Sequence, residues 1–301
     1  MGYDSLTADD RHARKSYLHG VLLLALGAVA FSSAGLFVRT IGRDAATILF
    51  WRGAFTVVAV TGFIAWRAGR DTLQQCLAIG RPGLCIAVAS ALSMACFISS
   101  LQYTSVANNS IIFGTGPFLT AGLAWLMIGE RPSRATIACS LLALCGSLLV
   151  LGSSLSMSGA HLTGDALAVL MTLTFALKTV LVRQHADRSM VPAGCLAALL
   201  GSLGAAPFVP DWSIRSDELL HFALFGFAQQ GAGLVLTTLG TARVPAAHAA
   251  LLLTLDLPLG PTWVWLLLGE RPTTLGLIGG LVVLTAILAH IAIEAWRQSR
   301  G

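Results

Sequence analysis

Apolar residues fall in long runs along this chain, each closed by a short polar or Gly/Pro-containing stretch. Ten runs predict helices, at 18–38, 45–66, 83–102, 107–128, 134–152, 165–184, 191–209, 218–240, 246–268 and 274–296. A helix of about 20 residues crosses the hydrocarbon core of a bilayer. Lipid offers no hydrogen bonds, so a crossing segment must pair its own backbone, as a helix does. The first run continues past Ala28-Val29-Ala30 to Val38 and therefore reads as a span, not as a cleaved leader. The Ser- and Gly-rich stretch 152–164 has the composition of a flexible connector.

The runs repeat. Residues 125–132 read Trp-Leu-Met-Ile-Gly-Glu-Arg-Pro and residues 265–272 read Trp-Leu-Leu-Leu-Gly-Glu-Arg-Pro, six of eight identical at an offset of 140. Each copy ends an apolar run, and each follows a break: Gly114-Thr115-Gly116-Pro117 in one, Pro258-Leu259-Gly260-Pro261 in the other. The starts of the halves align as well, Phe31 with Phe175 and Val38-Arg39 with Val182-Arg183, at an offset of 144. A half-length unit has been duplicated. Five helices is an odd number, so the second unit enters the membrane upside down, an arrangement typical of transporters.

Composition fits this reading. The chain has 301 residues, 55% hydrophobic and 11% charged, where soluble domains carry about 25% charged residues. The net charge of +5 reflects loop arginines that set topology, and no nucleic-acid partner is expected. With the N-terminus inside, thirteen Lys and Arg from Arg11 to Arg300 face the cytoplasm, against Arg39, Arg43, Arg215 and Arg271 opposite. Both termini are therefore expected inside, in a bacterial inner membrane. The only lysines are Lys15 and Lys178, which leaves no P-loop. The six cysteines form no Cys-x2-Cys pair and read as small core residues. No metal and no cofactor are expected.

The expected fold is an all-α integral membrane protein with ten transmembrane helices in two inverted five-helix repeats. Its parts are a cytoplasmic tail 1–17, a first repeat 18–151, a periplasmic linker 152–164, and a second repeat 165–301 ending in a short cytoplasmic C-terminus. With Pro117 and Pro258 in the fourth helix of each half, Gly129-Glu130 and Gly269-Glu270 at the ends of those helices, and Arg52 in the second helix, the chain resembles the EamA-type branch of the drug/metabolite transporter superfamily. The resemblance spans residues 18 to 296 and implies a central cavity walled by helices 1–4 and 6–9. Two features depart from the family pattern. Phe31 and Phe175 stand where a Trp is common, and the seventh helix has no counterpart of Arg52.

Several polar residues fall inside the apolar runs. Asp256 lies about ten residues into the ninth helix, where a carboxylate is costly and usually functional. Pro258 and Pro261 follow it and are expected to free the carbonyls of Thr254 and Leu257. Beside such oxygens Asp256 suits a cation or ammonium group; alternatively it pairs with a basic side chain for packing. Lys178 either faces the cavity or snorkels to the headgroups, and Arg52 either binds solute or anchors at the interface. Lys178 and Asp256 together suit a zwitterion. His248, eight residues before Asp256, is a proton relay or a satisfied polar group near a helix end. Asn108 is its counterpart in the first half. Gln230, beside Gln229, either bridges helices or lines a path. Trp263 belongs to the aromatic belt or stacks on solute. Glu130 and Glu270 read as corner salt bridges or caps, with Ser133 and Thr273 capping the next helices. Gly276 and Gly280 form a Gly-x3-Gly, for close packing or for a dimer face; monomer is expected, and a homodimer is not excluded.

The function that follows is secondary transport by alternating access, exporting a small metabolite, first of all an amino acid. Gly114, Gly116, Pro117, Pro258 and Pro261 would serve as hinges. Export of organic cations or other toxic compounds is the alternative. An integral membrane enzyme acting on a lipid-linked substrate is the alternative of another class, but neither His-Glu-x2-His nor Gly-x-Ser-x-Gly occurs.

Overall fold

The structure is a computed structural model that describes residues 8–103, 112–152, 162–268 and 274–298. Asn108, Asn109, most of the linker and the second Gly-Glu-Arg-Pro corner lie outside the described residues. The described residues are almost entirely helical. In chain order the helices are α1 (Ala8–Ser32), α2 (Ala34–Ile41), α3 (Ala45–Ala68), α4 (Thr72–Leu77), α5 (Gly80–Tyr103), α6 (Gly116–Ile128), α7 (Arg134–Gly152), α8 (Leu162–Gln184) and α9 (Val191–Ala205). They continue with α10 (Ser216–Leu224), a π-helical turn (Phe225–Gly231), α11 (Ala232–Thr241), α12 (Ala246–Leu253), α13 (Asp256–Leu268) and α14 (Thr274–Gln298). Helix occurs in each of the ten expected stretches. Seven helical runs among the described residues are long and apolar enough to cross a membrane: Lys15–Val38, Ala45–Asp71, Gly80–Ser100, Thr163–Gln184, Val191–Phe208, Ser216–Thr241 and Ala246–Leu267. Shorter apolar helices cover Gly116–Ile128, Arg134–Gly146 and Leu277–Ile293.

Local chemistry sets the helix ends. Asp44 starts α3 by accepting the Thr47 amide at 2.9 Å and the Thr47 hydroxyl at 2.6 Å. Gly129 closes α6 at φ 73°, a left-handed turn that residues with a Cβ rarely adopt. Ser133 then accepts the Thr136 amide at 3.0 Å and caps α7, as its position after Pro132 predicts. The Gly and Pro of Gly-Glu-Arg-Pro thus turn the chain, and Ser133 begins the next helix.

Packing runs across the two halves. α3 packs on α9, α5 on α8, α1 on α11, α6 on α12 and α7 on α14, while α5 also meets α9 and α3 meets the π turn. The α7–α14 seam is close: a Cβ on Gly146 would fall 2.8 Å from the Gly279 carbonyl oxygen. One on Gly280 would fall 3.2 Å from Pro258 Cβ, so at Gly280 the Gly-x3-Gly face is taken up inside the molecule. The largest buried cluster joins Leu24 and Ala28 of α1, Leu251 and Leu252 of α12, and Val283 and Ile287 of α14.

Candidate functional site

Four of the long apolar runs are interrupted, and the interruptions gather the polar residues. The first run breaks at Ser33, between α1 and α2. The fourth breaks at Thr115, whose amide and hydroxyl both donate to the Ile112 carbonyl, and restarts at Gly116 with Pro117. The eighth widens into the π turn that carries Gln229 and Gln230; such turns recur at functional sites. The ninth breaks at Thr254–Leu255 and restarts at Asp256. Gly116 and Asp256 are 140 residues apart, the offset of the repeat, so the breaks before Pro117 and Pro258 are equivalent.

One sequence expectation about these breaks needs correcting. Pro258 was expected to free the Thr254 carbonyl, but the Leu257 amide donates to it at 3.1 Å, in a tighter turn. What the break does is place Asp256 at the first position of α13, where the helix dipole favours a negative charge. Asp256 Oδ1 is buried with no hydrogen-bond partner, and no basic side chain among the described residues lies within 4.0 Å of the carboxylate.

Lys178 does not reach toward headgroups. Its ammonium lies 4.3 Å from the centroid of the Phe175 ring, which in turn stands edge-on to Phe113, just before the fourth-helix break. Lys178 lines a small void with Thr179, Thr237, Thr238, Thr241 and Leu253. Leu253, the last residue before the ninth-run break, is three residues before Asp256, so the void beside Lys178 borders the break that Asp256 follows. The sequence did not single out the threonines of α11; their spacing along an apolar helix was the available signal.

Arg52 is not an interfacial anchor. It is buried at 5% exposure, with its guanidinium 5.1 Å from the Phe225 ring and Nη2 against Met94 Sδ. Gln229 is buried and donates to the Phe31 carbonyl at 3.2 Å, next to the α1 break, while Gln230 is half-buried. The Trp263 indole donates to the Ser32 hydroxyl at 2.8 Å and ties α13 to the end of α1. Gly114, Gly116 and Pro117 are buried, and Pro258 is half-buried.

His248 sits apart from this region, near the start of α12. Thr136 Oγ1 lies 3.1 Å from Nε2, Tyr17 OH lies 3.5 Å from Nδ1, and the His290 ring stands edge-on at 4.4 Å between centroids. Nothing in the sequence distance between His248 and His290 signalled that contact. Nearby, Glu130 does both things expected of a corner carboxylate. Oε1 accepts from Arg183 Nε at 2.8 Å, and Oε2 accepts from the Ala246 amide at 3.1 Å, at the start of α12. Arg183 Nη1 donates to the Ala242 carbonyl at 3.1 Å. These groups border a cavity of about 250 Å3 lined by Glu130, Arg131, Ser133, Ala247 and His248 among others. At the far end of α1 and α2, Arg43 makes a two-pronged pair with Glu218 at 3.0 and 2.9 Å.

Repeated apolar helices, some of them interrupted and some carrying charged side chains in their interior, define a multi-pass membrane protein of the kind that carries solutes. The comparison with known families makes this specific: the model of the EamA-like transporter family matches residues 18–152 and 162–291, and the chain belongs to that family. An uncharacterized transporter of Archaeoglobus fulgidus is 28% identical over 284 residues, covering 93% of this chain and 97% of the relative. The pseudopaline exporter CntI of Pseudomonas aeruginosa is 26% identical over 277 residues, covering 90% and 95%. A solved crystal structure shares the fold at a TM-score of 0.80 and 18% identity, covering 92% of this chain and 98% of its own.

Proposed function

We propose that this transporter exports a small zwitterionic metabolite, an amino acid or a close relative, by alternating access between two inverted five-helix halves. The observation that carries the reading is a pair of lone charges in the interior, Asp256 at the break that opens α13 and Lys178 within the unbroken α8. Lys178 lines the void that borders the break before Asp256, and each is without an oppositely charged partner within 4.0 Å among the described residues. An uncompensated charge inside a membrane protein is costly and points to a charged partner that is not part of the chain. A solute carboxylate would take the Lys178 amine and a solute ammonium the Asp256 carboxylate.

The packing supports a two-fold repeat, and five spans per half, an odd number, would make it an inverted one. Exchanging the halves turns the α5–α8 contact into the contact of α11 with α1, and the α5–α9 contact into that of the π turn with α3. The α3–α9, α6–α12 and α7–α14 contacts map onto themselves. The ten spans, with both termini in the cytoplasm of a bacterial cell, belong to this same reading. Breaks at equivalent places in the fourth and ninth helices let either half close the same central site, with Gly114, Gly116, Pro117, Pro258 and Pro261 as the flexible points. That an exporter is among the relatives favours outward movement.

The test is counterflow in proteoliposomes with a panel of amino acids and organic cations, with and without a pH gradient. Exchange of an amino acid, lost in Asp256→Asn and Lys178→Met, supports the reading. Exchange of cations alone favours the multidrug alternative, and exchange of neither removes the proposal. Maleimide labelling of cysteines placed at Arg131 and Arg271 tests the inversion, which requires opposite compartments.

A further inference from the structure

A second charge in the interior has no role in the Lys178–Asp256 site. Arg52 lies against Phe225, while Lys178 lines its void with Thr238. Those two residues of the eighth run are 13 positions apart, roughly 20 Å along a helix. One small solute therefore does not touch both cations at once.

The surroundings of Arg52 are rich in donors and poor in acceptors. A guanidinium carries five N–H donors and no acceptor. Its contacts among the described residues are a thioether sulfur and an aromatic face, and no carboxylate lies within 4.0 Å. The indole N–H of Trp51, which packs in the same cluster as Phe225, is also buried without an acceptor. Gln229 Oε1, four residues after Phe225, is unfilled but makes no hydrogen bond to either donor, and as a neutral amide it would not balance the charge. The wall opposite Arg52 is held in place. A Cβ on Gly226 would fall 2.8 Å from the Arg52 carbonyl oxygen and 2.3 Å from Phe55 Cβ, so the π turn lies directly on α3. Protein on both sides, Met94 of α5 and Phe225 of the π turn, keeps the guanidinium from lipid phosphates.

We propose that Arg52, with the Trp51 indole, is a second anion station that receives the solute carboxylate at the opposite end of the eighth run from Lys178. This inference rests on the transporter reading and narrows the substrate class: the solute must present a free carboxylate, which a planar guanidinium holds by two parallel hydrogen bonds. Lys178 is then the station nearer the cytoplasmic end and Arg52 the station nearer the other face.

The experiment uses the purified full-length chain and the variants Arg52→Met, Arg52→Gln and Arg52→Lys. The probes are L-alanine, L-leucine, L-glutamate and L-lysine, each beside its methyl ester. Melting is recorded with and without probe, and counterflow is measured in proteoliposomes. A guanidinium that awaits a ligand is unpaired in the free protein, so Arg52→Met should melt at or above the wild type without probe. Counterflow of the acid that the wild type carries should fall about tenfold or more in Arg52→Met, the loss of one charged hydrogen bond. Arg52→Lys should keep part of it, and the esters should neither stabilise nor exchange. Melting far below the wild type in both Arg52→Met and Arg52→Gln would make Arg52 a structural residue and overturn the proposal. So would unchanged counterflow, or esters that serve as well as acids. Probe stabilisation that depends on Arg52 without any exchange sinks the transporter reading and keeps the site. A wild type that neither exchanges nor is stabilised by any probe sinks both.

Discussion

Glu130→Gln is the most direct perturbation of the end of the molecule near His248. The carboxylate makes two charge-assisted hydrogen bonds, to Arg183 at 2.8 Å and to the Ala246 amide at 3.1 Å, and so joins the α6 corner to α8 and α12. A fully buried bond to a charged group is worth about 1.5–3 kcal/mol. Both side chains of the ion pair are 28% exposed, and solvent screening brings the pair down to about 1–2 kcal/mol. The glutamine keeps an acceptor for Ala246 and loses the charge facing Arg183, so most of that sum disappears. If this latch holds its end of the molecule shut, the open population rises by about 5- to 30-fold. The assay is the maleimide labelling rate of Ala250→Cys, a buried position one turn inside α12, in a cysteine-free background. Glu130→Gln and Arg183→Gln should each speed labelling, and the double variant should match the singles. Additive effects, or an unchanged rate in either single variant, would refute the latch.

Other outcomes follow from the same contacts. Glu218→Gln, which breaks the pair with Arg43, should raise labelling at the opposite face and leave Ala250→Cys unchanged. Gly226→Ala forces a Cβ to 2.3 Å from Phe55 Cβ and should lower the melting temperature by a few degrees, the effect of about 1–3 kcal/mol of overpacking. His248→Ala removes the ring that the Thr136 and Tyr17 hydroxyls contact; it should lower thermal stability while the pH profile of exchange stays the same, and a shifted profile would restore the relay. Burial raises the Asp44 carboxyl, but the hydroxyl and amide of Thr47 outweigh that and hold it below the ordinary 3.8. The cap, worth about 1 kcal/mol, is therefore present above that value and fades as pH falls below it. Asp44→Ala should lose stability at pH 7 and little at pH 3, as read by melting.

The helices and the corner were legible in the sequence because lipid makes periodicity unnecessary: length and apolarity alone mark a span. The Gly-Glu-Arg-Pro turn was legible because Gly129, Glu130, Pro132 and Ser133 each answer a local backbone demand. Asp256 announced itself by its cost. What the sequence concealed depends on which neighbours arrive from far along the chain. Arg52 read as an interfacial anchor at least as well as a solute ligand, and nothing in the sequence signalled that Phe225, 173 positions on, lies against it. His290 gave no sign in the sequence of the ring contact that it makes with His248. The Thr254 carbonyl read as free because a proline rule counts only the partner four residues ahead, and the chain supplied one three ahead.

The asymmetry between the halves matters as much as their likeness. Asp256 corresponds to Gly116 at the repeat offset of 140, and Lys178 corresponds to Ala34 at the offset of the first helices, 144. The scaffold was duplicated, but the charges were not. Had both halves kept a carboxylate and an amine at these places, the interior would hold two acids and two bases, free to neutralise one another as the halves close. As it stands, neither Asp256 nor Lys178 has an oppositely charged partner within 4.0 Å among the described residues, and each keeps its demand for a charged group from solution. Gly116 tolerates the converse change: a Cβ built on it meets only Thr172 Cγ2, at 3.6 Å, ordinary contact. Gly116→Asp is therefore the decisive converse of Asp256→Asn. It should place a second carboxylate at the break equivalent to that of Asp256 and impair exchange of the zwitterion. Exchange at the wild-type rate in Gly116→Asp would mean that the absence of a carboxylate from the first-half break is not part of how the solute is held.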